Sequence, residues 1–149
     1  MSARTVLSIV AVCFMAATVN AESDSVQAVA MVKKAAEFIK ANGQEKGIKA
    51  LCDSAGAYVK GELYVFAYDT AGVMAAHPKN AKLIGKNMLE VPDVDGKLFR
   101  KDIVETAKVK GSGWVDYTYK NPTTGKVEPK TTYLLKQGGL VLCCGIYKN

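Results

Sequence analysis

The sequence predicts an α+β domain: a long N-terminal helix packed on a five-stranded, mainly antiparallel sheet, with a crossover containing a short helix on the other face. Three observations predict it. Residues 24–42 carry apolar positions at three- and four-residue steps, Val26, Val29, Val32, Ala36 and Ile39, with Lys33, Glu37 and Lys40 between them. From Tyr58 onward the period changes to two. Helices precede strands rather than alternate with them, which separates α+β from parallel α/β architecture.

The elements follow in order. Ser23, Asp24 or Ser25 can cap the first helix, and Asn42-Gly43 supplies a stop that tolerates a left-handed conformation. A shorter helix runs from about Glu45 to Cys52, and Asp53-Ser54-Ala55-Gly56 is a loop. In the first strand Leu63, Val65 and Ala67 face one side and Tyr64, Phe66 and Tyr68 the other. Both sets are apolar, so the strand is expected to be covered on both faces. Asp69-Thr70-Ala71-Gly72 is a hairpin turn leading to a strand from Val73 to His77, which Pro78 limits. Residues 79–97 lack regular pattern, and such a stretch between strands lines or covers something. A short helix from about Lys97 to Lys108 presents Phe99, Ile103 and Ala107 on one face and ends at Gly111. Three strands complete the chain, Trp114 to Lys120, Val127 to Lys136 and Leu140 to Tyr147, joined by turns at 121–125 and 137–139.

The 149 residues suffice for one domain. Arg4, an apolar run from Val6 to Thr18 and Val19-Asn20-Ala21 describe a signal peptide cleaved after Ala21. The apolar run falls short of the roughly 20 residues a membrane span needs. The expectation is thus a leader over 1–21 and a ligand-binding domain over 22–149, exported to the periplasm or secreted, with no stable membrane anchor after cleavage. Lys and Arg number 20 against 14 Asp and Glu. The positive charge is nearly all scattered Lys, and Arg100 is the one arginine beyond the leader. Nucleic-acid binders cluster Lys and Arg on one face, so no nucleic-acid partner is expected. The basic surface instead raises the local concentration of small anions.

Cys52, Cys143 and Cys144 remain after the leader. One disulfide from Cys52 to Cys143 or Cys144, with one thiol left over, and three buried free thiols both stand as readings. No Cys-x-x-Cys pair supports zinc or thioredoxin-like chemistry. Asp93-Val94-Asp95-Gly96 lacks the further acidic positions of a calcium loop and reads as a turn and helix cap. There is no Ser-His-Asp arrangement, no phosphate loop and no acid–base pair. The expectation is a binding protein, not an enzyme, with no metal and no cofactor.

The helix ending at Lys40-Ala41-Asn42-Gly43, the segment 60–69, Gly72 and Ala76-His77-Pro78 come in that order. Leu83-Ile84-Gly85-Lys86-Asn87, Asp95-Gly96-Lys97-Leu98-Phe99 and Gly111-Ser112-Gly113-Trp114-Val115-Asp116-Tyr117 follow. Asn121-Pro122, Pro129-Lys130-Thr131-Thr132-Tyr133 and Cys144-Gly145-Ile146-Tyr147 close the series. This ordered set resembles the single-Cache family of extracellular sensor domains in its soluble bacterial form, over nearly all of the chain beyond the leader. The resemblance implies a PAS-like sheet with a long N-terminal helix and a pocket for small molecules, often short carboxylates. Family members are usually the outer part of a receptor, tied to a chemoreceptor, kinase or cyclase. This sequence ends at Asn149, just after the last strand, so the expectation is signalling through a separate envelope protein.

A carboxylate needs a positive partner, directional donors and an apolar wall. Lys130 can supply the charge, His77 and the tyrosines the donors, and Trp114 the wall. The expected site is His77, Trp114, Tyr117, Lys130 and Tyr133, converging on one cavity beneath the 79–97 crossover. Alternation sets Trp114 opposite to Tyr117 and Tyr119, and Gly111 and Gly113 permit a bulge that would change this. Tyr119 reads as core and Lys120 as exposed. The alternative function is a periplasmic protein-interaction domain whose pocket is filled by its own side chains.

Overall fold

A computed structural model describes residues 23–148. The expected leader, 1–21, lies outside the described residues. Helix α1, Asp24–Asn42, is followed by α2, Gln44–Leu51. Strands β1, Val59–Lys60, β2, Leu63–Asp69, and β3, Met74–Ala76, come next. A 3-10 turn at Ala81–Leu83 interrupts the crossover, which ends in α3, Phe99–Lys110. Strands β4, Ser112–Lys120, β5, Val127–Gln137, and β6, Leu140–Tyr147, complete the fold.

The sheet order is β1-β2-β6-β5-β4, with β3 paired to β2, and every pairing is antiparallel. The extra strand relative to the expected five arises at Gly61. Its φ of 59° turns the chain within two residues and lets Val59-Lys60 pair back onto β2.

Helix α1 lies across one face of the sheet. Its buried stripe is Ala28, Val32, Ala35, Ala36 and Ile39, packed with Leu63, Val65, Ala67, Leu140, Leu142 and Cys144. The alanines let the helix approach closely, and each buried Val or Ile contributes roughly 1.5–3 kcal/mol. Ser23 makes no side-chain bond to the helix start, contrary to the expected cap; its hydroxyl meets that of Ser25 at 3.1 Å. At the other end Gly43 donates its N–H to Ile39 O at 2.8 Å. Gly47 of α2 sits where a Cβ would lie 2.2 Å from Ile39 Cγ1, so its lack of a side chain permits the α1–α2 contact.

The opposite face carries Tyr64, Phe66, Tyr68, Val115, Tyr117, Leu134, Val141 and Cys143 under α3, whose Phe99, Ile103, Val104 and Ala107 are buried. Helix α3 starts later than expected because the 93–97 turn is held first. Asp93 Oδ1 accepts from the amides of Asp95 (3.0 Å) and Lys97 (2.8 Å), and Asp93 Oδ2 from that of Thr118 (3.0 Å). That last bond ties the crossover to β4. Cys52, Cys143 and Cys144 are all free; Cys143 and Cys144 are buried as the free-thiol reading has them, and Cys52 is only partly so. Among the described residues no helix is long and apolar enough to cross a membrane.

Candidate functional site

The site is assembled on the α3 face of the sheet. Lys130 of β5 pairs directly with Tyr117 of β4 on one side and Tyr147 of β6 on the other. Its ammonium has nowhere to go but inward: the residue is 1% exposed. Nζ donates to Tyr64 Oη at 3.1 Å and Tyr147 Oη at 3.3 Å. It also lies 4.7 Å from the Tyr64 ring centroid, 4.6 Å from that of Tyr147 and 5.4 Å from that of Tyr119. Such contacts give a desolvated cation partial compensation. The ion pairs among the described residues are Lys97–Asp102 and Lys148–Asp116, so no carboxylate reaches Lys130. Burial accordingly lowers its pKa from 10.5 to about 7.

Space for this side chain comes from Gly145 on the neighbouring strand. A Cβ there would fall 2.1 Å from Lys130 Cε and 2.6 Å from Thr132 Oγ1. Glycine is therefore what allows the lysine stem to lie along β6 toward the aromatic cage.

His77 follows β3, where Pro78 ends the strand. Its Nδ1 accepts from the amides of Asn80 (2.9 Å) and Lys79 (3.2 Å). This arrangement puts the ring proton on Nε2, on the side away from those amides. The ring stacks on Phe66 at 5.6 Å and tilts against Tyr64 at 5.3 Å. Burial, then the charges of Lys130 and Arg100, push its pKa down to about 4. His77 is thus a neutral Nε2–H donor at any physiological pH.

Arg100, the second residue of α3, is a second buried cation at 5% exposure. Its guanidinium lies 4.2 Å from the Phe99 ring centroid and 5.9 Å from that of Tyr119, and Nη1 donates to Val91 O at 2.9 Å. Its Nε is buried without a partner. Of the Lys, Arg, His, Asp and Glu side chains among the described residues, the buried ones are Lys130, Arg100 and the neutral His77, with no carboxylate among them. The α3 face is electrostatically arranged for an anion.

Two spaces that share part of their walls lie beside these groups. An inner chamber of about 10 Å³ is walled by Tyr64, Phe66, Tyr68, Met74, His77, Phe99, Tyr117, Tyr119 and Lys130. An outer cleft of about 340 Å³ shares Tyr64, His77 and Tyr119 with it and extends over Lys79, Asn80, Lys120, Asn121 and Pro122. Asn121, which lines the cleft, is itself held in place. Its Nδ2 donates to Glu62 Oε1 at 3.0 Å and Glu128 Oε2 at 2.9 Å.

Of the five side chains expected to converge, His77, Tyr117 and Lys130 share the inner chamber. Tyr117 contributes its ring, stacked on Phe99 at 3.8 Å, while its hydroxyl is held by Thr132 Oγ1 at 2.8 Å. Trp114 and Tyr133 do not join them. They pair across β4 and β5 on the α1 face, with rings 5.4 Å apart. Tyr133 is packed in the α1 core, and Trp114, 42% exposed, borders a hollow with Val26, Val29 and Lys33 of α1. The physical reason is parity. The β4–β5 register runs unbroken from Ser112–Leu135 to Lys120–Val127, so no bulge at Gly113 reverses the faces. Positions 114 and 117, like 130 and 133, are three apart and point oppositely. Tyr64, Tyr147 and Arg100 were missed, and Tyr119, read as core, is half-buried and lines the chamber. The first could have been found by alternation with Phe66 and Tyr68; Tyr147 and Arg100 required the strand pairing and the α3 placement.

A long helix and an irregular crossover on opposite faces of an antiparallel sheet define the class of PAS-like sensor domains; the small, largely aromatic chamber lies between the sheet, His77 and Phe99 of α3, and no residue of 79–97 walls it as the sequence led us to expect. The chain belongs to the Single Cache domain 2 family, whose model matches residues 6–149. Among solved structures it is similar to a Cache chemosensory domain described for carboxylic acid recognition, at 26% identity and a TM-score of 0.71, covering 84% of this chain and 93% of that one. It is also similar to a periplasmic sensor domain of a chemotaxis protein, at 26% identity and a TM-score of 0.67, covering 83% and 90%. Among curated proteins it is 29% identical over 86 residues to the methyl-accepting chemotaxis protein McpP of Pseudomonas putida. That match covers 56% of this chain and 16% of McpP.

Proposed function

We infer that this chain is the ligand-binding module of a sensory system and that it takes a short organic carboxylate against Lys130 and His77. The observation that carries the reading is the Lys130 ammonium, 1% exposed and without a carboxylate partner among the described residues. Burying an unpaired ammonium costs several kcal/mol, which a bound carboxylate offsets. The Nε2–H of His77 gives the second oxygen a donor. Arg100 adds positive potential behind the aromatic wall. Similarity to a Cache domain described for carboxylic acid recognition supports the ligand class. Similarity to sensor domains of chemotaxis proteins supports a signalling partner and an exported location. Export directed by residues 1–21 belongs to the same reading, and N-terminal sequencing of the secreted protein, beginning at Glu22, checks it.

So few ligand atoms limit affinity to roughly micromolar to millimolar. Thermal-shift and calorimetric titration against acetate, propionate and lactate, beside amino acids and purines, tests the assignment. The carboxylates should raise the melting temperature of the parent protein and leave Lys130→Met unchanged. A second reading, a protein-interaction domain with its pocket closed on its own side chains, is favoured by the 10 Å³ chamber and by exposed Trp114 and Val26. Absence of any shift with the whole carboxylate series would favour it over the binding reading.

A further inference from the structure

The chamber beside Lys130, about 10 Å³, has room for about one water molecule. A carboxylate brings three heavy atoms, so a wall must move before an acid reaches the ammonium. Most walls are pinned. Tyr64 is bonded to Lys130 through its hydroxyl, Tyr117 is bonded to Thr132 and stacked on Phe99, and His77 is held by two amides.

Tyr119 has ring contacts but no side-chain hydrogen bond among the described residues to hold it. It is half-buried and stands on β4, an edge strand that pairs in the sheet with β5 alone and is tied to the crossover at the neighbouring Thr118. Its hydroxyl makes no hydrogen bond to the described residues. Its ring meets Phe99 and Tyr117 edge-on, at 6.2 Å and 6.1 Å. It also lines three spaces at once: the inner chamber, the 340 Å³ cleft, and a hollow of about 210 Å³ beside Arg100. It is the one side chain common to the walls of all three, so its displacement is the single movement that can join them. Its face now covers both cations, 5.4 Å from Lys130 Nζ and 5.9 Å from Arg100 Cζ, so an incoming carboxylate replaces the contacts that the ring gives up.

We propose that Tyr119 is the gate and the size-selecting residue of the carboxylate site, admitting short linear acids and refusing branched or aromatic ones. This rests on the carboxylate-binding reading above and adds to it which acids reach Lys130. The cleft outside is large enough for bulky acids, so selection falls at the constriction between Tyr119, Tyr64 and His77.

The test is calorimetric titration of the parent protein, Tyr119→Ala, Tyr119→Leu and Tyr119→Phe with propionate, isobutyrate and benzoate. Shortening the side chain should narrow the preference for propionate over benzoate by at least about tenfold, the scale of a lost steric contact in an apolar pocket. Tyr119→Phe should keep the parent's preference, since the hydroxyl holds no partner. Tyr119→Leu retains apolar packing and gives the same comparison if the alanine variant unfolds. If propionate binds the parent but the shortened variants keep its preference, the gate is refuted while the carboxylate reading stands. If Tyr119→Phe behaves as Tyr119→Leu does, the hydroxyl selects, and the gate is again refuted. If none of the three acids binds the parent protein the gate is refuted, and the carboxylate reading falls with it when acetate and lactate fail as well.

Discussion

Replacing Lys130 by methionine should make the ligand-free protein more stable at pH 6, although it removes a fully buried side chain's only polar group. The lysine's pKa falls from 10.5 to about 7 on burial. At about 1.36 kcal/mol per pH unit, that disfavours the charged form by about 5 kcal/mol. Below pH 7 both the folded and the unfolded chain hold the proton, and the fold carries the whole penalty. Between pH 7 and 10.5 the unfolded chain binds a proton that the folded chain has released. Stability therefore climbs with pH over that window, by up to about 1.36 kcal/mol per unit. Methionine is of similar length and uncharged, and the cage around it is aromatic. Loss of the two phenol contacts offsets part of the gain, about 1 kcal/mol each. The net stabilisation should be about 2–3 kcal/mol at pH 6, shrinking toward zero or reversing by pH 9. Urea unfolding of both proteins at pH 6, 7, 8 and 9 measures it. Above pH 9 the buried thiols intervene: burial raises Cys143 well above its ordinary range and Cys144 to about 12, so the unfolded chain ionises first and both proteins lose stability. A difference between the two proteins that does not change from pH 6 to pH 9 would refute the buried-ammonium account. So would a methionine variant that is the less stable of the two throughout.

Other expectations follow from the same geometry. Gly145→Ala places a methyl 2.1 Å from Lys130 Cε. It should cost about 1–3 kcal/mol by overpacking and weaken carboxylate binding, read by thermal melts and calorimetry. His77→Asn keeps an acceptor near the Lys79 and Asn80 amides but removes the Nε2–H. It should fold normally and bind about tenfold more weakly, one lost hydrogen bond to an anion. Trp114→Ala, on the α1 face, should leave carboxylate affinity within about twofold. Asp69→Ala removes the acceptor for the Ala71 and Val73 amides, both at 2.9 Å. It should cost about 1–2 kcal/mol of stability in urea unfolding without touching the site.

The fold was legible because it rests on period and punctuation. The stripe Val32, Ala36, Ile39 and the alternation of Leu63–Tyr68 each have one physical solution, and Gly43, Gly72 and Gly111 end their elements at positive φ. The β1 hairpin was not legible, because two residues carry no period; only Gly61 marks it. The site was legible in part. Lys130 and His77 stood out by type, since an ammonium and an imidazole among apolar strands demand an explanation. Grouping them with Trp114 and Tyr133 failed because the strands contain no bulge where the glycines allowed one. Tyr147 could be placed beside Lys130 only through the β5–β6 register, and Arg100 only through the start of α3. Neither is visible in a single strand's pattern.

The most direct measurement is proton uptake on binding, obtained from calorimetric titration of propionate at pH 8 in two buffers of different ionisation enthalpy. In the ligand-free protein Lys130, with a pKa of about 7, is mostly neutral at pH 8. A carboxylate beside it restores the charge, so the account predicts uptake of close to one proton, about 0.9 per ligand bound, and no binding to Lys130→Met. Propionate that binds the parent and Lys130→Met equally well, with no proton taken up, would contradict it.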